Sequence, residues 1–137
     1  MGRKILALVA GLVVGFSVIV VVQAAGQALW PLPTGLDPRD RVAIVAALHA
    51  MPPAFLLWTA LSWMCGALAG TYLASRVVRD SSVAWPAFAV EAALLTMGVL
   101  NVAVLEYPPW FWLLGLSAFP LGAFAGMRWA RGTGAVD

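Results

Sequence analysis

Charge is what this chain has least of. Of 137 residues, 8 are Lys or Arg and 6 are Asp or Glu. That is 10% of the chain, against about 25% in an ordinary soluble domain. So few charges cannot supply the polar surface that a water-exposed fold of this size needs. The formal net charge of +2 also gives no basic patch of the kind that holds nucleic acid. The single cysteine, Cys65, excludes an internal disulfide, and the single histidine, His49, excludes a multi-histidine metal centre. Cys-x-x-Cys, His-Glu-x-x-His, a phosphate-cradling glycine loop and paired carboxylates are all missing from the sequence. The expectation is a non-enzymatic chain with no cofactor and no metal.

What is present is apolar sequence, 63% of the chain against about 45–50% in soluble domains. It falls into four runs of the roughly 20 residues that a bilayer crossing needs, over about 5–29, 54–75, 83–105 and 109–130. The first follows Arg3-Lys4 and resembles a signal peptide. Its unbroken apolar stretch from Ile5 to Val22 exceeds the roughly 7–15 residues of such a segment, so it is read as a retained anchor. The expected fold is all-α, one membrane domain over residues 1–137 with four spans arranged as two hairpins. An external helix over about 38–50 joins the first two spans. Asp37 is its expected N-cap, with Pro38 in the first helical position and Arg39, Asp40 and Arg41 facing water.

With the N-terminus inside, Arg3, Lys4, Arg76, Arg79, Arg128 and Arg131 lie on the cytoplasmic side and only Arg39 and Arg41 outside. That bias predicts a multi-pass protein of a bacterial cytoplasmic (inner) membrane with both termini cytoplasmic. Nearly all seven tryptophans are expected at the headgroup levels, where an apolar ring and a polar N–H are both accommodated.

The second and fourth spans repeat each other. Pro52-Pro53-Ala54-Phe55 leads to Gly66-Ala67-Leu68-Ala69-Gly70, and Pro108-Pro109-Trp110-Phe111 leads to Gly122-Ala123-Phe124-Ala125-Gly126 at the same spacing. The repeat suggests a duplicated hairpin and an approximate twofold along the membrane normal. Three Gly-x-x-x-Gly pairs, Gly11/Gly15, Gly66/Gly70 and Gly122/Gly126, each place small residues on one helical face, where backbones can approach closely. Packing within the bundle is the first expectation and a homo-oligomer interface the second. Expected partners are therefore the lipid bilayer and a second copy or a larger membrane complex.

Polar residues inside the spans are the candidates for chemistry. Gln23, Gln27, Asn101, Thr59, Ser62 and Ser117 fall at similar depth and are expected to form one hydrogen-bonded layer. Glu91 stands about 12 Å above the inner boundary of the third span, counting 1.5 Å per residue. Arg128 and Tyr72 are its expected partners, in a proton or ion site or in a structural strut. Glu106, at the outer corner, is expected to be solvated.

The basic start, a first span ending in Trp-Pro-Leu-Pro-Thr-Gly-Leu-Asp-Pro, a second ending in Gly-Ala-Leu-Ala-Gly and Pro-Pro-Trp-Phe-Trp opening the last span resemble an uncharacterised family of small four-helix bacterial membrane proteins. That resemblance implies the four-span fold and no activity. Small multidrug-resistance transporters are similar in size alone, because they carry their glutamate in the first helix, where this chain has Gln23 and Gln27. Four-helix quinone reductases differ by a cysteine pair that this chain lacks. The leading functional expectation is an accessory or scaffold protein acting through helix packing. The alternative is a small oligomeric, proton-coupled transporter or channel using Glu91.

Overall fold

A computed structural model describes residues 1–78 and 84–132. Those residues form five helices: α1 (Gly2–Leu29), α2 (Arg41–His49), α3 (Pro53–Val78), α4 (Trp85–Leu105) and α5 (Pro109–Gly132). α1, α3, α4 and α5 are each long and apolar enough to cross a membrane. Their limits match the apolar runs because the breaks in those runs carry helix-starting chemistry. Pro53 and Pro109 are the first residues of α3 and α5, where a missing N–H is harmless. The same turn opens both helices, with Phe55 N–H donating to the Pro52 carbonyl and Phe111 N–H to the Pro108 carbonyl, each at 2.9 Å.

α3 is the hub. α1 packs antiparallel along one side of it, α5 packs parallel along the other, and α1 and α5 do not touch. α4 lies across this three-helix row and meets all three members. Glycine explains the tightness of the row. An added Cβ on Gly70 would stand 2.7 Å from the Gly11 carbonyl oxygen, and one on Gly66 would stand 2.7 Å from that of Gly15. The reverse contacts, Gly11 to Gly70 and Gly15 to Gly66, are 2.8 and 3.0 Å. Two Gly-x-x-x-Gly faces thus meet backbone to backbone between α1 and α3. Val90 and Leu94 of α4 close over this crossing. Such close approach substitutes for the hydrophobic drive that lipid does not provide.

Gly122 and Gly126 have a different partner. They press on the backbone of α3 at Met64 and Leu68, and Gly126 also on the Thr71 hydroxyl. This corrects the expected twofold. Under that symmetry α5 would turn its glycines to α4, as α3 turns its own to α1. The two copies instead stack in succession: the first copy faces α1, and the second faces the back of the first.

The helix between the first two spans begins later than expected. Asp40, not Asp37, caps α2, its carboxylate accepting the Ala43 N–H at 3.0 Å. Asp37 closes a local turn onto the Arg39 N–H at 2.9 Å, so Pro38 to Asp40 precede the helix. α2 then packs on the end of α4.

Candidate functional site

The structure holds polar groups at three separate places in the bundle. The first is at the α2 end. Arg41 donates from Nε to the Val104 carbonyl at 3.0 Å and from its terminal nitrogen to the Glu106 carboxylate at 2.8 Å. His49 donates from Nε2 to the Glu106 carbonyl at 2.8 Å. Glu106 ends α4 in the left-handed conformation, φ 52°. α4 has no cation of its own in its last turn, so α2 supplies both the donors and the positive charge that a helix C-terminus accepts. Sequence reasoning placed Arg41 and Glu106 in water. They remain well exposed, but they clasp the corner.

The second place is Glu91. Both carboxylate oxygens are buried and neither has a hydrogen-bond partner among the described residues. The expected strut is not formed. Arg128 lies exposed at the end of α5, and Tyr72 is half-buried on α3 without reaching the carboxylate. Gly98, two turns along α4 from Glu91, meets the Phe119 ring of α5. In an antiparallel pair that register puts Glu91 at about the level of Gly126. Arg128 is two residues beyond Gly126, about 200° around the helix, and so points away from the face that α5 turns to its neighbours.

The third place is a cleft between α1 and α4. A cavity of about 150 Å³ opens there, with Trp63 of α3 and Phe119 of α5 on its lining and Phe16, Gln23, Met97 and Asn101 along its sides. Trp63 and Phe119 are stacked with ring centroids 5.2 Å apart, and both are buried. Phe111 meets Trp63 edge-on at 5.4 Å and stacks near Tyr107 at 4.7 Å. Trp63 is therefore a core residue at mid-bundle, not a headgroup anchor, whereas Trp85, Trp110, Trp112 and Trp129 are exposed as the anchoring pattern requires. Trp58 is another partial departure. Its indole N–H donates to the Val22 carbonyl of α1 at 2.7 Å, in space left open by Gly26.

The expected polar layer does not assemble. Thr59 donates to the Phe55 carbonyl, Ser62 to Thr59 and Ser117 to Leu114, each within its own helix. Thr71 donates to Ala67 at 2.7 Å and reaches the Ala123 carbonyl of α5 at 3.3 Å. Short hydroxyl side chains can satisfy themselves on the preceding turn, and long amides cannot do so as readily. Gln23, half-buried, and Asn101, exposed, are left together on the cleft without a hydrogen bond to any described residue, and Gln27 is exposed beyond them. Among the described residues no group of His, Cys, Asp and Glu is placed to hold a metal ion, and Cys65 is a half-buried free thiol. The spans and the small-residue contacts were legible in the sequence, whereas the separation of Glu91 from Arg128 was not. The clasp and the Trp63 core were not expected, although Trp63 shares a helical face with Thr59, Gly66 and Gly70. No family model matches the chain, and no curated protein or solved structure matches it either.

Proposed function

We propose that the chain is a four-span protein of a bacterial cytoplasmic membrane, with both termini cytoplasmic, that acts there as a non-enzymatic accessory or scaffold protein. Five of the six cations expected inside, Arg3, Lys4, Arg76, Arg128 and Arg131, belong to helix ends opposite α2, and the sixth, Arg79, lies outside the described residues. This distribution supports the orientation. Cysteines placed singly at positions 3 and 39 test it: a membrane-impermeant thiol reagent added to intact spheroplasts should label position 39 alone.

The separation of polar groups carries the accessory reading. A transport path needs polar groups in series, yet Glu91 is sealed, the hydroxyls turn to their own helices and the two amides open sideways. The glycine faces hold the bundle itself, so docking falls to the remaining apolar surface, above all that of α1, whose Leu6, Val9, Val13, Phe16 and Val21 are exposed. Photo-crosslinking in cells from Val9, Val13 and Phe16 tests this. A protein adduct confined to one of those positions supports the reading, and lipid adducts alone at all of them contradict it.

One observation favours the second reading, a proton-coupled transporter: Glu91 is an ionisable group held inside a span without a partner among the described residues. Liposomes bearing the protein and a pH gradient decide it. A proton flux abolished in Glu91→Gln supports transport, and silence of the unsubstituted protein removes it.

A further inference from the structure

The cleft between α1 and α4 combines three properties that the accessory reading does not need. It is concave, it is floored by a stacked aromatic pair, and it presents two amides with no hydrogen-bond partner among the described residues. We propose that it is a laterally entered binding site for a membrane-soluble amphiphile whose headgroup is a single six-membered ring bearing a carbonyl or hydroxyl oxygen.

The size sets the ring. A cavity of about 150 Å³ is in the range that takes one benzene-sized group, and it is too small for a phospholipid headgroup with its glycerol. The floor sets its orientation. Trp63 and Phe119 are held rigidly, Trp63 by Phe111 edge-on and Phe119 against Gly98, so a flat guest finds a fixed apolar surface. Polarity sets the oxygen. The side-chain hydroxyls of Ser17, Thr59, Ser62, Thr71, Thr96 and Ser117 all have carbonyl partners. Of the uncharged polar side chains of the spans that have no partner among the described residues, Gln23 and Asn101 are the two that line the cleft. An amide left unmet in an apolar medium is unfavourable, and each can donate to a ring carbonyl or accept from a ring hydroxyl. The mouth sets the route. Phe16, Val20 and Met97 are about half exposed beside it, so the way in is sideways between two spans, and the guest's apolar tail stays outside in lipid. A few convergent polar groups on an apolar pocket are the ordinary makeup of a small-molecule site.

The inference rests on the membrane reading and not on the accessory one; thiol labelling at positions 3 and 39 reports a failure of the membrane reading separately. The test uses the full chain in lipid nanodiscs and a diazirine-tailed single-ring probe, with adducts mapped by mass spectrometry. Two competitors separate the sources of the chemistry, a short-tailed 1,4-benzoquinone and a short-tailed alkylphenol. Saturable labelling of α1 and α4 around the cleft, displaced by one competitor in preference to the other, is expected. Val20→Trp, which fills the mouth from a half-exposed position, should reduce saturable labelling about tenfold or more while leaving the melting temperature in place. Gln23→Leu combined with Asn101→Leu should weaken binding about fivefold to tenfold, the loss of a hydrogen bond or two. Met97→Phe provides a second filled cleft should Val20→Trp not fold. Labelling that does not saturate, that spreads evenly over the lipid-facing surface, or that persists in folded filled-cleft variants overturns the proposal. So does a chain-to-chain adduct showing that a second copy occupies the cleft.

Discussion

α3 and α5 start from nearly the same sequence plan and end in different structural roles. Both open at a Pro-Pro corner with the same turn, and both bury the same positions: Phe55 and Phe111, Trp63 and Phe119, Ala67 and Ala123. Yet α3 is covered on several sides and α5 on fewer. The glycines of α3 find glycines on α1, a reciprocal fit, whereas the glycines of α5 find the carbonyl side of a helix that has no glycine there. Thr71 of α3 completes that second joint, and its counterpart in α5, Met127, has no further helix to receive. The equivalent Trp63 and Phe119 do meet each other. That contact is all the structure keeps of the symmetry suggested by the repeat. A small-residue face specifies close approach without specifying to what, so a duplicated arm can be placed in succession as readily as about an axis.

The strongest way to break this comparison is to add side chains to the glycines. Gly66→Leu and Gly122→Leu should each cost about 3 kcal/mol or more, because the Met64 backbone at Gly122, and the Gly15 carbonyl beside the Ile19 side chain at Gly66, leave no room for the added atoms. Alanine variants sharpen the point through thermal unfolding in a common detergent. Gly15→Ala and Gly66→Ala should couple by about 0.5–3 kcal/mol, and Gly98→Ala and Gly122→Ala should add independently. Coupling in the second pair would return α5 to α4 and restore the twofold.

Trp63→Ala should cost about 3–5 kcal/mol, whereas Trp110→Phe should change the melting midpoint little, by about 0.5 kcal/mol. Equal effects would mean that Trp63 is an anchor after all.

A smaller effect comes from pH. Burial pushes the Tyr107 hydroxyl, next to Phe111 at the start of α5, up from 10.0 to about 12. The raised value means that the unfolded chain loses this proton first. The stabilisation is complete below pH 10 and disappears as the pH rises toward 12. It amounts to at most about 2–3 kcal/mol. Unfolding curves of Tyr107→Phe should lack this alkaline slope. The corresponding residue of the first copy is Met51, so α3 has no such dependence at its own start.

The smallest effect belongs to the clasp. Arg41→Ala should lower stability by at most about 1 kcal/mol, since both partners are more than half exposed and salt screens them. Hydrogen exchange at the end of α4 is the more sensitive measurement and should rise in that variant.

These results separate what a linear pattern carries from what it does not. Span limits were legible because length and apolarity are local, and the structure moves them by only a few residues. The start of α2 was displaced because Asp37 and Asp40 are both competent caps, and the choice depends on which N–H each can reach. The polar layer failed for a physical reason: depth can be counted along a helix, but bonding depends on rotation about it and on whether a hydroxyl prefers its own preceding turn. Arg128 illustrates the rotation, since its angle from Gly126 already points it away from the packed face. The clasp joins residues 41, 49 and 106 across two loops, and no periodicity reports such a contact.

The most direct test of the stacked arrangement is a set of spin-label distances in lipid between Val13 on α1, Leu61 on α3 and Phe124 on α5, all exposed positions. With helices packed about 8–10 Å apart, the account predicts that the α1–α5 distance exceeds both distances to α3, with α3 lying between. An α1–α5 distance no longer than the α1–α3 distance would contradict it.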